Sequence, residues 1–180
     1  MVYQQPEIEK YRSYLLCIAR SVSDNSVDST IDAEDAVHET ILRACRNQEQ
    51  FRGTSEVQRT AWLREILWNY VRDCYRRANR HLDEQALVRS IEESSVRLAN
   101  LLVSNEPSPS YRARQGEHLA SLGEAISQLP VDQRLAVELR YLQEWSVAQI
   151  AERMERSKAS VAGLLQRALR ELRSAIAEDN

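Results

Sequence analysis

Arg59, Arg64, Arg72, Arg76, Arg77 and Arg80 crowd one stretch of the chain that also holds Trp68, Tyr70 and Tyr75, with only Glu65 and Asp73 as acids. At the helical spacing of about 100° per residue, Leu63, Ile66, Leu67, Tyr70 and Cys74 share an inner face. Arg64, Trp68, Asn69, Arg72, Tyr75 and Arg76 lie on the opposite arc. Unpaired bases stack on aromatic rings while guanidinium groups hold phosphates, so this arc suits single-stranded nucleic acid. The other reading of Trp68 is that it packs against a neighbouring lobe or linker.

A second constellation lies near the C-terminus. Ser146 with Gln149 three residues on forms a capping box, in which each side chain satisfies the other's free backbone N–H. Ile150, Ala151 and Met154 then face inward. A Glu155-Arg156-Ser157 turn follows, and Ser157 can cap the next helix. Val161, Leu164, Leu165, Ala168, Leu169 and Leu172 form that helix's apolar stripe, and Val161 follows Ala151 by ten residues. This is the spacing of a DNA-reading helix-turn-helix, although Glu155 stands where such turns favour glycine.

The outer face of the last helix carries Ala159, Ala162, Gly163, Gln166, Arg167, Arg170 and Arg173, with Lys158 and Ser160 at its start. Ala162 and Gly163 let the helix sit deep in a groove. Gln166 and Arg167 match the donor and acceptor patterns of adenine and guanine, and Arg170 and Arg173 suit phosphates. An ordinary helical hairpin with a solvated arginine face is the alternative.

A third candidate surface is on the helix of 32–48, capped by Asp32. Ala33, Val37, Ile41, Ala44 and Cys45 project to one side, and Asp35, His38, Glu39, Leu42 and Arg46 to the other. Leu42 among charges fits a protein-docking surface, though single exposed leucines are common.

No catalytic chemistry stands out. The chain has no carboxylate pair in an apolar setting, no Ser/His/Asp or Cys/His set and no phosphate-cradling glycine loop, so an enzyme is not expected. Cys17, Cys45 and Cys74 are widely spaced within apolar helical patterns and read as small buried hydrophobes in a reducing cytoplasm. With three histidines and no paired cysteines, neither a metal nor a cofactor is expected.

The elements that must carry these faces are helices. Four glycines and four prolines in 180 residues argue against many short strands. Ile8, Tyr11, Leu15, Ile18 and Val22 recur every three to four residues, giving one amphipathic helix after Pro6. The helix of 32–48 leads to a loop, NQEQFRGTSEV, broken by Gly53 and Thr54, and a third helix runs from about Gln58 to Arg77. Leu87, Ile91, Leu98 and Leu101 allow a further helix before the linker signature EPSPS. Four short helices follow, at about Tyr111–Gln128, Val131–Leu142, Val147–Met154 and Lys158–Ala177.

The expected architecture is all-α: a lobe at 1–80, a flexible linker at 81–110 and a second lobe at 111–180. Net charge is −3 overall, but two basic clusters, one in each lobe, flank an acidic stretch from Asp83 to Glu124, and distribution matters more than the sum. No run of eighteen apolar residues spans a membrane, and the N-terminus lacks a signal-peptide profile.

The stretch from Asp32 to Arg77 (DAEDAVHETILRACRNQEQFRGTSEVQRTAWLREILWNYVRDCYRR) resembles region 2 of bacterial sigma factors of the extracytoplasmic-function group. The stretch from Leu129 to Arg173 (LPVDQRLAVELRYLQEWSVAQIAERMERSKASVAGLLQRALRELR) resembles region 4 of the same group. The resemblance implies docking of Asp35, His38, Glu39 and Leu42 on the β′ clamp helices of core RNA polymerase, with His38 replacing the usual glutamine.

It further implies capture of a flipped base of the melted −10 element by the Phe51-Arg52-Gly53 loop and the helix after it, including Arg64, Asn69, Arg72 and Arg76. Trp68 stands where a small or basic residue is commoner. The last helix would enter the major groove at the −35 element, through Lys158, Ser160, Ala162, Gly163, Gln166, Arg167 and Arg170. Family members often carry Arg or Lys at the positions of Ala162 and Leu164, so specificity here would rest on Gln166, Arg167 and DNA shape.

Promoter DNA and core polymerase, the latter through its β′ clamp helices and β flap, are the implied partners. An anti-sigma protein that wedges between or wraps the lobes is a further one. The implied place of action is the cytoplasm, without membrane insertion. About 25 base pairs separate the two promoter elements, roughly 85 Å at ~3.4 Å per pair. The 81–110 linker reaches about 95 Å when extended, so any helix in Leu87–Leu102 must melt or bend on assembly. Two other readings remain at this stage: a stand-alone helix-turn-helix regulator, and a helical adaptor or decoy that binds no DNA.

Overall fold

In the computed structural model, which describes residues 5–23, 31–78, 84–101 and 115–178, the described residues form helices and turns only. The N-terminal segment is two helices, α1 (Gln5–Glu9) and α2 (Arg12–Ser23), where periodicity alone predicts one. The Tyr11 N–H bonds back to the Ile8 carbonyl, three residues away, at 3.1 Å. This tightened turn directs α1 onto α3 (Ala33–Arg46). Asp32 caps α3, its carboxylate accepting from the N–H groups of Glu34 and Asp35.

A short 3-10 turn (Gln48–Gln50) and the FRG loop lead to α4 (Glu56–Arg77). Ser55 and Gln58 close a capping box there, which sets the helix start two residues before the expected one. The linker region contains α5 (Glu84–Asn100); Leu102 and the EPSPS signature lie outside the described residues. The C-terminal part follows as α6 (Gln115–Gln128), α7 (Val131–Val137), α8 (Val147–Arg153) and α9 (Lys158–Glu178). The expected start of α6 at Tyr111 also falls outside the described residues.

The helix expected to continue to Leu142 widens instead into a π turn over Glu138–Leu142. The Gln143 N–H reaches the Glu138 carbonyl at 3.2 Å. The widening coincides with two tertiary contacts. Glu138 is buried in an ion pair with Arg20 (2.9 Å), and the Leu142 carbonyl accepts from Arg97 on α5 (2.9 Å).

Helix α2 is the centre of the molecule. Tyr14, Leu15, Cys17, Ile18, Ala19, Ser21 and Val22 are all buried, so its sides are covered by α3 and α4 on one hand and by α5 and α6 on the other. The closest approach is at Gly123 of α6, where an added Cβ would lie 2.4 Å from the Tyr14 backbone nitrogen and 2.6 Å from its Cα. Only glycine allows that backbone-to-backbone contact. Ser13 adds a hydrogen bond to Glu124 (2.9 Å) beside it. The core is therefore continuous from the first lobe through α5 into the second.

Burial, and after it the nearby Glu138 carboxylate, push the Cys17 thiol up to about 12. At pH 8 its thiolate is then about one part in 10⁴, and the thiolate is the reacting species. In the native chain, alkylation at pH 8 is expected to spare Cys17 and to reach it only in denaturant, read by mass spectrometry of the peptide. Full labelling of Cys17 in the native chain would contradict this packing.

Candidate nucleic-acid and protein interfaces

The helix-turn-helix is built from local signals. Ser146 and Gln149 make both bonds of their capping box, and Ser157 Oγ accepts the Ser160 N–H at 3.1 Å, opening α9. Between the helices the chain closes in a Schellman turn: Arg156 N–H to Ala151 O at 2.9 Å and Glu155 N–H to Glu152 O at 3.2 Å. Glu155 takes φ 52°, the left-handed region. The glycine preference noted in the sequence has this physical origin. Arg156 pairs with Asp132 and ties the turn to α7.

Val161, Leu164, Leu165, Ala168 and Leu172 are buried against the rest of the lobe, with Leu169 half-buried. The opposite face of α9 is open. Lys158, Ala159, Ala162, Gln166, Arg167, Arg170 and Arg173 are exposed, while Ser160 and Gly163 are half-buried. Gly163, Gln166, Arg167, Arg170, Arg173 and Ser174 line one shallow depression. A Cβ at Gly163 would meet only the Arg167 guanidinium, at 3.4 Å, an ordinary contact.

On α3, Asp35 and His38 are exposed, while Glu39 and Leu42 are half-buried. Glu39 binds Arg43 (2.9 Å), which reaches Asp73 of α4 (3.4 Å) and lies over the Tyr70 ring at 5.4 Å. Burial, then its bond with Cys74, then the carboxylates of Asp35 and Glu39 push the Tyr70 phenol up to about 12. The face is thus acidic and braced by α4.

The FRG loop is folded onto α4. Phe51 packs against Trp62 (centroids 5.2 Å apart) and under Arg59 (5.0 Å). A Cβ at Gly53 would collide with the Phe51 ring at 2.4 Å and with Gln58 Cβ at 2.9 Å. Phe51 therefore shapes the loop, and Arg52 is its exposed member. Further along α4, Arg72 stacks over Trp68 at 4.3 Å and donates to Asn69 Oδ1 at 2.9 Å. Arg76 is exposed.

Arg64 differs from its neighbours on that arc. Its Nη1 donates to Tyr14 Oη (2.9 Å) and to Ser95 Oγ (3.1 Å), and Tyr14 and Ser95 also bond each other at 2.9 Å. Trp68, Ala61, Arg64 and Glu65 line a groove with Val88, Ile91 and Glu92 of α5, so Trp68 faces the linker helix.

Sequence reasoning missed Tyr14, Ser95, Arg97 and Gly123. Gly123 carried a signal, because glycine inside a helix costs about 1 kcal/mol and marks a packing need. Val131 and Leu135 of α7, exposed at 68% and 38%, were also missed. Their i, i+4 spacing places an apolar pair on one side of the second lobe. Among the described residues, no group of three or more His, Cys, Asp or Glu could hold a metal ion, and no helix is long and apolar enough to cross a membrane.

The second lobe thus presents a helix-turn-helix with an open basic face, and the first lobe carries an acidic face and an aromatic–basic one. The Sigma-70 region 2 family model matches residues 7–81, and the model of Sigma-70, region 4 matches residues 119–172. Among curated proteins, the chain is 27% identical over 152 residues to the ECF RNA polymerase sigma factor SigL of Mycobacterium tuberculosis, covering 81% of this chain and 75% of that one. It is 28% identical over 179 residues to the ECF RNA polymerase sigma factor SigG of the same organism, covering 92% of this chain and 46% of SigG. The chain belongs to the sigma-70 family, in its extracytoplasmic-function group.

The left-handed Glu155 generates a stability prediction. A non-glycine residue there costs about 1–2 kcal/mol, against about 0.5–1 kcal/mol of added chain entropy for glycine. Glu155→Gly is expected to raise unfolding stability by about 0.5–1 kcal/mol in urea titrations. A loss of stability would mean that Glu155 makes compensating contacts.

Proposed function

We propose that this sigma factor, whose family directs promoter-specific transcription initiation, divides the work between its lobes, at 1–80 and 111–180, with 81–110 as their connection. The second lobe reads the −35 element, with α9 in the major groove. Gln166 and Arg167 address base edges, while Lys158, Ser160 and Arg170 address the backbone, and Ala162 and Gly163 allow close approach. The first lobe docks on the β′ clamp helices through Asp35, His38, Glu39 and Leu42. It holds the melted −10 strand with Arg52 and the α4 face of Arg64, Asn69, Arg72 and Arg76, over a loop shaped by Phe51 and Gly53.

The exposed α9 face behind a doubly capped helix-turn-helix carries this reading most directly. It is one element of a chain in which both sigma regions match their family models. A stand-alone helix-turn-helix regulator would leave the match over 7–81 without a role. The apolar pair Val131 and Leu135 is a candidate seat for the β flap. The chain acts by binding, while polymerase supplies the catalysis. The reading places its action in the cytoplasm, where an anti-sigma protein could engage both lobes.

Run-off transcription on genomic DNA with purified core polymerase tests the reading. Addition of the chain is expected to produce discrete new starts that share upstream −35 and −10 elements. Leu42→Asp is expected to abolish them by loss of core binding. Arg167→Ala removes a base contact worth about 1–3 kcal/mol, so initiation should fall roughly 5- to 150-fold at subsaturating protein. No new starts from folded protein bound to core polymerase would reject the reading.

A further inference from the structure

The two DNA-facing surfaces are not equally available in the free chain. The α9 face is open, whereas Arg64 and Trp68 of the α4 arc lie half-buried in a groove beside the linker helix. Ile91 of α5 is buried, and together with Val88 and Glu92 it faces Ala61, Arg64, Glu65 and Trp68 across one groove. Arg64 is fastened there by the Tyr14 and Ser95 hydroxyls. Both hydroxyls are neutral acceptors, and Ser95 itself is buried. A guanidinium bonds a phosphate more strongly than a neutral hydroxyl, because both partners are then charged. Glu92 adds a carboxylate to the rim of a groove that Arg64 lines, the charge sign that a phosphate would bring.

We propose that α5 occupies the seat of the unpaired −10 strand, and that Arg64 exchanges Ser95 for a DNA phosphate when α5 leaves. This rests on the assignment of the α4 arc to the −10 strand. Arg64 is then a positioning residue in both states: it latches the linker helix in the free chain and fixes the strand's register in the promoter complex. The free chain is competent for duplex −35 DNA, while its seat for single-stranded −10 DNA is obstructed at Arg64. Departure of α5 also breaks the Arg97 contacts to Leu142 and Glu144, so unmasking loosens the junction with the second lobe.

The test is fluorescence anisotropy of labelled single strands carrying the non-template −10 sequence of starts mapped with this factor. It uses the full-length free chain, with helix content checked by circular dichroism. Ile91→Asp, which ejects α5, is expected to bind the strand at least tenfold more tightly than wild type. Ser95→Ala, which removes one latch acceptor without adding bulk, should gain about threefold. Arg64→Ala in the Ile91→Asp background should abolish the gain. Wild type binding as tightly as both release variants would overturn the masking, and a gain that survives Arg64→Ala would overturn the exchange. If Ile91→Asp loses its fold, the Ser95→Ala comparison with wild type decides. A separate arm measures run-off from the holoenzyme on templates with −10 substitutions. Dependence on the −10 sequence that is unaffected by Arg64→Ala would reject the assignment of Arg64 itself, whatever the free chain does.

Discussion

Tyr14 is where the first lobe, the linker helix and the second lobe meet. Its backbone lies against Gly123 of α6, closely enough to exclude any side chain there. Its hydroxyl bonds Ser95 of α5 and accepts from Arg64 of α4. Burial raises the Tyr14 phenol while Arg64 opposes that rise, so the ring stays neutral and serves as a polar hub inside an apolar centre. Such a hub stabilises only when every member is satisfied. Loss of α5 would remove Ser95 from the network and leave Arg64 with Tyr14 as its one hydroxyl acceptor there.

That constraint gives the closed chain a built-in asymmetry. The basic α9 face and Asp35 and His38 of α3 are exposed, while Arg64 and Trp68 of the α4 arc are half-buried beside α5. Around the hub, Arg20 with Glu138 and Ser21 with Ser94 (2.8 Å) extend the polar contacts along α2. These bonds are modest singly. An interface of mixed packing and hydroxyl bonds can hold one arrangement and still be replaced by a larger partner surface.

The helix-turn-helix could be read from the sequence because its determinants are local: the Ser146–Gln149 box, the turn at Glu155 and the 161–172 stripe all act within a few residues. The Asp32 cap and the α3 faces were readable for the same reason. The closure of the lobes was not, because Arg64 finds its partners 50 and 31 residues away and no local period encodes that. Two traces were nevertheless present. The uninterrupted YLLCIA run of α2 exceeds what a one-sided helix needs, and Gly123 interrupts an otherwise helix-favouring segment. The role of Phe51 in shaping the FRG loop also needed the fold, since only the path of the chain brings its ring onto Gly53.

The most direct test of the account is the distance between the lobes in the free factor and in the promoter complex. Spin labels at Glu49→Cys and Glu152→Cys, both exposed positions, would report it once Cys17→Ala, Cys45→Ser and Cys74→Ser remove the native thiols. The account predicts one narrow distance for the free chain and a large increase when polymerase holds the lobes on elements about 85 Å apart. A broad distribution in the free chain, or the same distance in both states, would contradict a closed factor that opens to read its promoter.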